Sequence, residues 1–338
     1  MKKQKRIGIT MGDPAGIGPE VMLKGLDKLA RRSDLGDYVA IAYGTASVIA
    51  DAARMLAIPL KIVDAGAEAT WPALRLVETA TANAPIEVAA ITPESGRLAF
   101  AAVERAIHDA VERRLDAIVT GPISKEAVNL AGYPYAGHTE ILADLARSPG
   151  TCMMLIHDKL RVSHVSTHVP LSRVPALVTP ARLTRVIKLT VAALQTFGIA
   201  RPRIGVAALN PHAGEGGLFG SEDSEVVAPT IAALHSEGID VSGPFAGDTI
   251  FVRALAGAFD AVIAMYHDQG HIPIKLLGFK VDAATGKWTA LTGVNVTLGL
   301  PFVRTSVDHG TAFDIAGKGI ASEQSLIEAV EVAIEMTG

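Results

Sequence analysis

Short, nearly continuous apolar runs, each cut off by a burst of polar residues or glycine, constrain this chain more than any other feature. Residues 260–265 read Asp-Ala-Val-Ile-Ala-Met, and Tyr266-His267-Asp268-Gln269 follows at once. Residues 116–120 lead in the same way into Gly121-Pro122-Ile123-Ser124-Lys125, and residues 203–209 into the glycine-rich stretch 210–217. Strands buried on both faces of a parallel sheet lack polar–apolar alternation in this way. Ligands of open α/β sheets bind beyond the carboxyl ends of the strands. The pattern therefore predicts an α/β chain with its chemistry gathered at strand ends. For any one such end, a polar turn with a hydrogen-bonded surface histidine is the plain alternative.

The remaining pattern fills in the same plan. Residues 6–11 form a strand candidate leading into Gly12-Asp13-Pro14-Ala15-Gly16-Ile17-Gly18-Pro19-Glu20, where Pro19 and Glu20 suit the first turn of a helix. This loop can cradle an anion or cofactor, but it lacks the Gly-x-Gly-x-x-Gly spacing of the dinucleotide fingerprint. Further strands are expected at 39–43, 86–91, 151–156, 160–166, 293–297 and 301–306. Helices are expected at 46–56, 98–114, 180–197, 224–237 and 322–336, and another opens at Gly137-His138-Thr139-Glu140. Residues 281–292 read as a hairpin turning at 283–286, with Trp288 on a flank.

Composition removes several classes of function. The 338 residues are 49% hydrophobic and 20% charged, enough apolar material for a sizeable core and against disorder. A formal net charge of −4 argues against nucleic acid as a partner. The apolar stretch 38–60 is broken by Gly44, Asp51 and Arg54, so no membrane span is expected, and the N-terminal apolar segment is too short for a signal-peptide core. Cys152 is the only cysteine, which excludes an internal disulfide framework and fits a reducing cytoplasm.

Three histidines, His168, His212 and His267, each follow a different expected strand. Three neutral imidazoles are a sound ligand set for a divalent ion with positions left open for substrate, although each histidine alone reads more readily as structural than as a ligand. Lys125, His138, Lys275 and Arg304 also lie near strand ends or helix starts. Cations gathered on one rim of a net acidic protein suggest a phosphorylated or carboxylated small molecule, and surface salt bridging is the alternative. Asp248 and Asp268 can serve as ligands, as histidine partners or as proton acceptors.

With these residues in hand, the chain resembles the 4-hydroxythreonine-4-phosphate dehydrogenase family. The matching stretches are 12–20, 120–125, 137–140, 210–220, 266–270, 293–305 and 308–317, in the family's order. Two of them, Gly-Asp…Gly-Ile-Gly-Pro-Glu and His-Gly-Thr-Ala…Asp-Ile-Ala-Gly-Lys-Gly, are also similar to isopropylmalate and isocitrate dehydrogenases. The resemblance implies a two-domain α/β/α fold of that type with the active site in the interdomain cleft. It implies a first domain of residues 1–127 and 305–338 carrying the cofactor loops. A second domain, 128–304, would carry the metal and substrate residues and the dimer interface.

Carried onto matching positions, it implies metal ligands His168, His212 and His267 and substrate contacts His138, Thr139, Lys275, Asn295 and Arg304. It implies a homodimer whose site draws on both subunits. By the isopropylmalate dehydrogenase likeness, Gly12 and Asp13 and the loop with His309, Gly310 and Asp314 would hold NAD or NADP. A hairpin inserted between Lys275 and Asn295, together with His271, is similar to the paralogues that oxidise D-threonate or D-erythronate 4-phosphate. The expected reaction is NAD-dependent oxidation and decarboxylation of such a four-carbon phosphorylated hydroxy acid to dihydroxyacetone phosphate and CO₂. Zn²⁺, Mg²⁺ or Co²⁺ would assist, with Lys275 in proton transfer and Asp248 or Asp268 as base. The alternatives are the 4-hydroxythreonine 4-phosphate reaction of pyridoxal phosphate synthesis, a phosphate-dependent acyltransferase of related fold, and a non-enzymatic metabolite binder.

Overall fold

The apolar runs become strands, and glycine- or histidine-bearing loops leave their carboxyl ends. In the computed structural model, which describes residues 4–284 and 288–338, the chain opens with β1 (Lys5–Thr10), α1 (Gly18–Leu29), β2 (Tyr38–Gly44) and α2 (Ala46–Met55). It continues through β3 (Lys61–Asp64), β4 (Ala73–Glu78), α3 (Pro93–Val111), β5 (Ala117–Thr120), α4 (Lys125–Leu130) and α5 (His138–Leu145). Local chemistry sets these limits. Thr92 caps α3 by accepting from the Ser95 amide while Ser95 answers the Thr92 backbone, and Pro93 fills the first turn, where no amide proton is needed. The face of α3 bearing Leu98, Ala102, Val103, Ala106 and Ile107 is buried, the helical repeat visible in the sequence.

The middle of the chain supplies β6 (Cys152–His157), β7 (Leu160–His164), α6 (Val174–Leu177), α7 (Pro180–Thr196), β8 (Ile204–Ala207), α8 (Ala228–Ser236), β9 (Val241–Phe245), α9 (Ile250–Leu255) and β10 (Ala261–Ala264). It ends with α10 (His267–Gly278), β11 (Phe279–Val281), β12 (Trp288–Leu291) and β13 (Val294–Leu298). Strand β14 (Val303–Val307) and α11 (Gln324–Met336) complete the fold.

Two compact units result, one of residues up to 149 together with 300–337, the other of residues 150–299. In the first, six strands run in the order β3-β4-β2-β1-β5-β14, and every pairing is parallel. Strands β1 and β5 are almost wholly buried, as a parallel sheet covered on both faces requires. In the second the order is β13-β6-β7-β10-β8-β9. Here β13, β6 and β7 pair antiparallel, while β7, β10, β8 and β9 are parallel.

The first unit is longer than the sequence reading placed it. Residues 128–149 and 300–304 belong to it, because α5 packs against α3 and β14 pairs with β5. Residues 86–91 form no strand and lie in a loop, and the outer strands β3 and β4, missed in the sequence, stand on that side of the sheet. The segment after β10 is not a turn but the helix α10, with Pro273 inside it. The hairpin is present as antiparallel β11 and β12, and residues 285–287 of its turn lie outside the described residues. No described helix is long and apolar enough to cross a membrane.

Candidate functional site

In the first unit several of the residues expected at an anion come together. Arg304 sits on β14 at 2% exposure, and its Nη2 donates to Thr120 Oγ1 at the end of β5 over 2.6 Å. Burial alone pulls the guanidinium down to about 9, so this cation is held where water cannot help it. His138 opens α5, and its Nε2 is buried without a hydrogen-bond partner. Burial first, then the charges of Arg304 and Lys125, hold His138 well below the ordinary histidine range. A neutral imidazole, two cations and the first turn of α5 around Thr139 therefore share one neighbourhood. An arriving phosphate or carboxylate would satisfy the imidazole and offset the repulsion between the cations. Lys125 was among the rim cations expected to meet an anion, and Thr120 had no role assigned from the sequence.

Gly12 and Asp13, expected at a cofactor, pack against the loop after β5. Asp13 is fully buried; its Oδ1 accepts from the Ala15 amide at 2.9 Å, and its own amide donates to Pro122 O at 2.7 Å. Gly12, at φ +74°, packs so close that a Cβ would stand 2.5 Å from Pro122 O. The pair thus joins the first loop to the loop after β5. Burial lifts Asp13 to about 6, against the bonds that Ala15, Ser124 and Ser95 offer its charged form. The two loops expected at the cofactor do meet, because Ile17 N donates to Thr311 O at 3.0 Å. A cavity of about 610 Å³ opens beside them, lined by Gly16, Glu20 and Gly317 among others. His309, Gly310 and Asp314 are not among its lining residues.

In the second unit, β7, β10 and β8 are neighbours, so the loops bearing His168, His267 and His212 leave adjacent strand ends. His168 and His267 are together, ring centroids 5.7 Å apart. Two imidazoles on one ion at about 2.0–2.1 Å place their centroids roughly 5–6 Å apart, so this pair fits a shared divalent ion. His212 stands apart, 6.3 Å from the Phe219 ring. It lies in Pro211–Gly217, where five successive residues from His212 to Gly216 have positive φ. Among the described residues no group of three His, Cys, Asp or Glu is arranged to hold a metal. The fit is thus two ligands of three within one chain.

Two further histidines extend the cluster. His271, one helical turn past His267, stacks on it at 3.6 Å and its Nδ1 lies 2.9 Å from the His267 carbonyl. His164 packs 4.8 Å from His271. Burial, reinforced by neighbouring imidazoles, takes His164 down to about 3 and His271 to about 4. His164, inside β7, gave no signal in the sequence. Gly270 allows this packing, since a Cβ there would meet His164 Nε2 at 2.3 Å.

Asp268 lies 2.7 Å from His267 Nδ1, a position from which a carboxylate can orient the imidazole. Gln269 accepts from Met265 N and donates to Ala208 O, both at 2.7 Å, tying the ends of β10 and β8 together. Asp248, His212, Tyr266 and Asp268 line a second cavity of about 600 Å³. Lys275 stands two turns beyond His267 with its Nζ 4.2 Å from the Phe279 ring, and Asn295 on β13 has a buried Oδ1 without a hydrogen-bond partner.

Known proteins resemble the chain over nearly its whole length. A protein named putative D-threonate 4-phosphate dehydrogenase from Bradyrhizobium diazoefficiens is 53% identical over 330 residues, 97% of this chain and 96% of that protein. The D-threonate 4-phosphate dehydrogenase of Cupriavidus necator is 44% identical over 98% of this chain and 96% of its own. The crystal structure of 4-hydroxythreonine-4-phosphate dehydrogenase from Klebsiella pneumoniae superposes with a TM-score of 0.82 at 40% identity, covering 99% of this chain and 100% of that one. The family model described as pyridoxal phosphate biosynthetic protein PdxA matches residues 37–333, and the chain belongs to that family.

Proposed function

We propose that the protein is an NAD-dependent, divalent-metal-dependent dehydrogenase. It oxidises the C3 hydroxyl of a four-carbon 4-phosphorylated hydroxy acid, D-threonate or D-erythronate 4-phosphate, with loss of CO₂ to leave dihydroxyacetone phosphate. The observation that carries this reading is the cluster of buried Arg304, exposed Lys125 and half-buried, neutral His138, a site for a substrate anion, in a chain similar end to end to proteins named for D-threonate 4-phosphate.

In this reading Arg304, Lys125, His138 and Thr139 hold the phosphate, and Lys275 and Asn295 orient the carboxylate end. His168, His267 and His212 would hold the divalent ion, which when bound supplies Lewis acidity toward the C3 oxygen. NAD, when bound, accepts the hydride. Asp268 fixes His267, which leaves Asp248 as the base for the hydroxyl proton. Lys275 returns a proton to the carbon that loses CO₂. The incomplete ligand set, and the exposed apolar side chains Val252, Leu255, Ile272 and Leu276 around the cavity of the second unit, favour a homodimer that covers this face. The buried lone thiol Cys152 suits a cytoplasmic protein.

The test is NADH formation with Mg²⁺, Co²⁺ or Zn²⁺ on D-threonate, D-erythronate and 4-hydroxythreonine 4-phosphates. Faster turnover of the hydroxy acids supports the proposal. Faster turnover of the amino acid moves the protein to the 4-hydroxythreonine reaction, and activity that survives complete chelation removes the metal from it.

A further inference from the structure

His168 and His267 approach each other from separate strand ends, and the chain just before each is fastened at one shared peptide. Ser166 stands two residues before His168, and Met265 two residues before His267. The Met265 carbonyl accepts from the Ser166 amide at 3.2 Å and from the Ser166 hydroxyl at 2.8 Å, which fills both of its lone pairs. One step earlier, Val165 N donates to Ala264 O at 2.8 Å. The ladder between β7 and β10 therefore runs on past both strands and closes at Ser166, which is 7% exposed, whereas His168 is exposed.

The same residue is held from its other side. Met265 N donates to Gln269 Oε1, and Gln269 Nε2 donates to Ala208 O. Ala208 follows β8, the strand whose loop carries His212. One side-chain amide thus completes the bonding of Met265 and extends the frame to a third strand end.

Arg182 braces the outer flank. It lies in the first turn of α7, where the helix dipole disfavours a cation, and burial pulls its guanidinium below the usual arginine range. Its bonds go to main-chain carbonyls. Nε donates to Val165 O at 2.9 Å, and Nη1 donates to Thr151 O at 3.0 Å and Gly150 O at 3.2 Å, just ahead of β6. A cation in this setting is costly, and its bonds fix the residue that precedes Ser166.

We propose that Ser166 and Gln269 are positioning residues. They clamp Met265 between them and so set the spacing at which His168 and His267 share one divalent ion, with Arg182 holding Val165 behind them. The proposal rests on the metal-dependent dehydrogenase reading.

The experiment is titration of the full-length protein with Co²⁺ alone, followed by visible absorption well below the unfolding temperature, with thermal unfolding of each metal-free protein beside it. Ser166→Ala removes the hydroxyl bond, and Gln269→Leu removes both amide bonds. Each should weaken Co²⁺ by roughly 10–100-fold, the size of effect that partners behind a metal ligand have, and shift the d–d bands of the bound ion. Ser166→Thr restores a hydroxyl and should regain the wild-type affinity and spectrum. A bond that serves stability alone lowers the melting temperature and leaves the Co²⁺ spectrum unchanged. Folded Ser166→Ala and Gln269→Leu proteins that bind Co²⁺ as the wild type does therefore overturn the proposal, whatever their melting temperatures. A Ser166→Thr protein as weak as Ser166→Ala overturns the assignment of the hydroxyl. Should Gln269→Leu fail to fold, Ser166→Ala decides in its place. Failure of the wild type to bind Co²⁺ overturns the metal reading itself, and the clamp with it.

Discussion

Replacing Asp13 with asparagine tests whether this carboxylate is a buried joint between loops. Burial raises Asp13 from 3.8 to about 6. In the unfolded chain the group ionises near 3.8, while in the folded chain it keeps its proton until about pH 6. The folded state therefore binds the extra proton in that window, and stability falls as pH rises through it. The stabilising contribution is complete below pH 3.8 and gone above about pH 6. Two pKa units at about 1.4 kcal/mol each give about 3 kcal/mol. Asparagine keeps an acceptor for the Ala15 amide but cannot ionise, so the variant escapes the loss.

Thermal unfolding of both proteins at half-unit steps from pH 4 to pH 7.5 reads this directly. The melting temperature of Asp13→Asn minus that of wild type should rise by roughly 6–12 °C across the window, since each kcal/mol moves a unit of this size by roughly 2–4 °C. Other titrating groups cancel in the difference. A difference that stays flat, or falls with pH, refutes the account of Asp13 as a carboxyl held neutral by burial.

Arg304→Lys keeps the charge but loses the planar fork, so kcat/KM for the phosphorylated substrate should fall by about 10²-fold or more, and a wild-type value would remove Arg304 from the anion site. His271→Ala takes away the ring stacked on His267, and Co²⁺ affinity, followed by visible absorption, should fall by roughly 10–100-fold; unchanged affinity would show that the stack does not position His267. Gly270→Ala drives a Cβ against His164 Nε2 at 2.3 Å and Val162 Cγ1 at 2.8 Å. It should cost roughly 1–3 kcal/mol in denaturant unfolding, and an unchanged midpoint would mean that the β7–α10 contact yields freely.

The parallel strands were legible because burial on both faces writes an unbroken apolar run, as in residues 261–264. Strands β3 and β4 were not, because at the outer side of the sheet they carry exposed and half-buried residues such as Lys61, Asp64 and Glu78. The three histidines were read correctly as strand-end residues, since topology alone puts them there. Their distances were not legible: the position of His212 depends on a run of left-handed backbone through Ala213 and Glu215 that no propensity anticipates. Asp13 looked like a cofactor contact because glycine surrounds it. The structure shows its carboxyl buried and bonded to Ala15 in its own loop and to Ser124 and Ser95 beyond it. His271 was visible as a departure in sequence, and its stacking on His267 needed α10, which Pro273 disguised.

The interrupted first unit gives the protein a schedule. Residues 150–299 are continuous, so everything the second unit packs is available once residue 299 has been made. The first unit begins earlier yet cannot finish, because β14 must pair with β5 and α11 must cover it. On a ribosome adding about 5–20 residues per second, β1 to β5 therefore wait through the synthesis of the whole second unit. During that interval the buried face of β5, the strand that ends in Thr120, lacks its neighbour. Arg304 arrives with the last segment, so its bond to Thr120 can form only after residues 150–299 have been made.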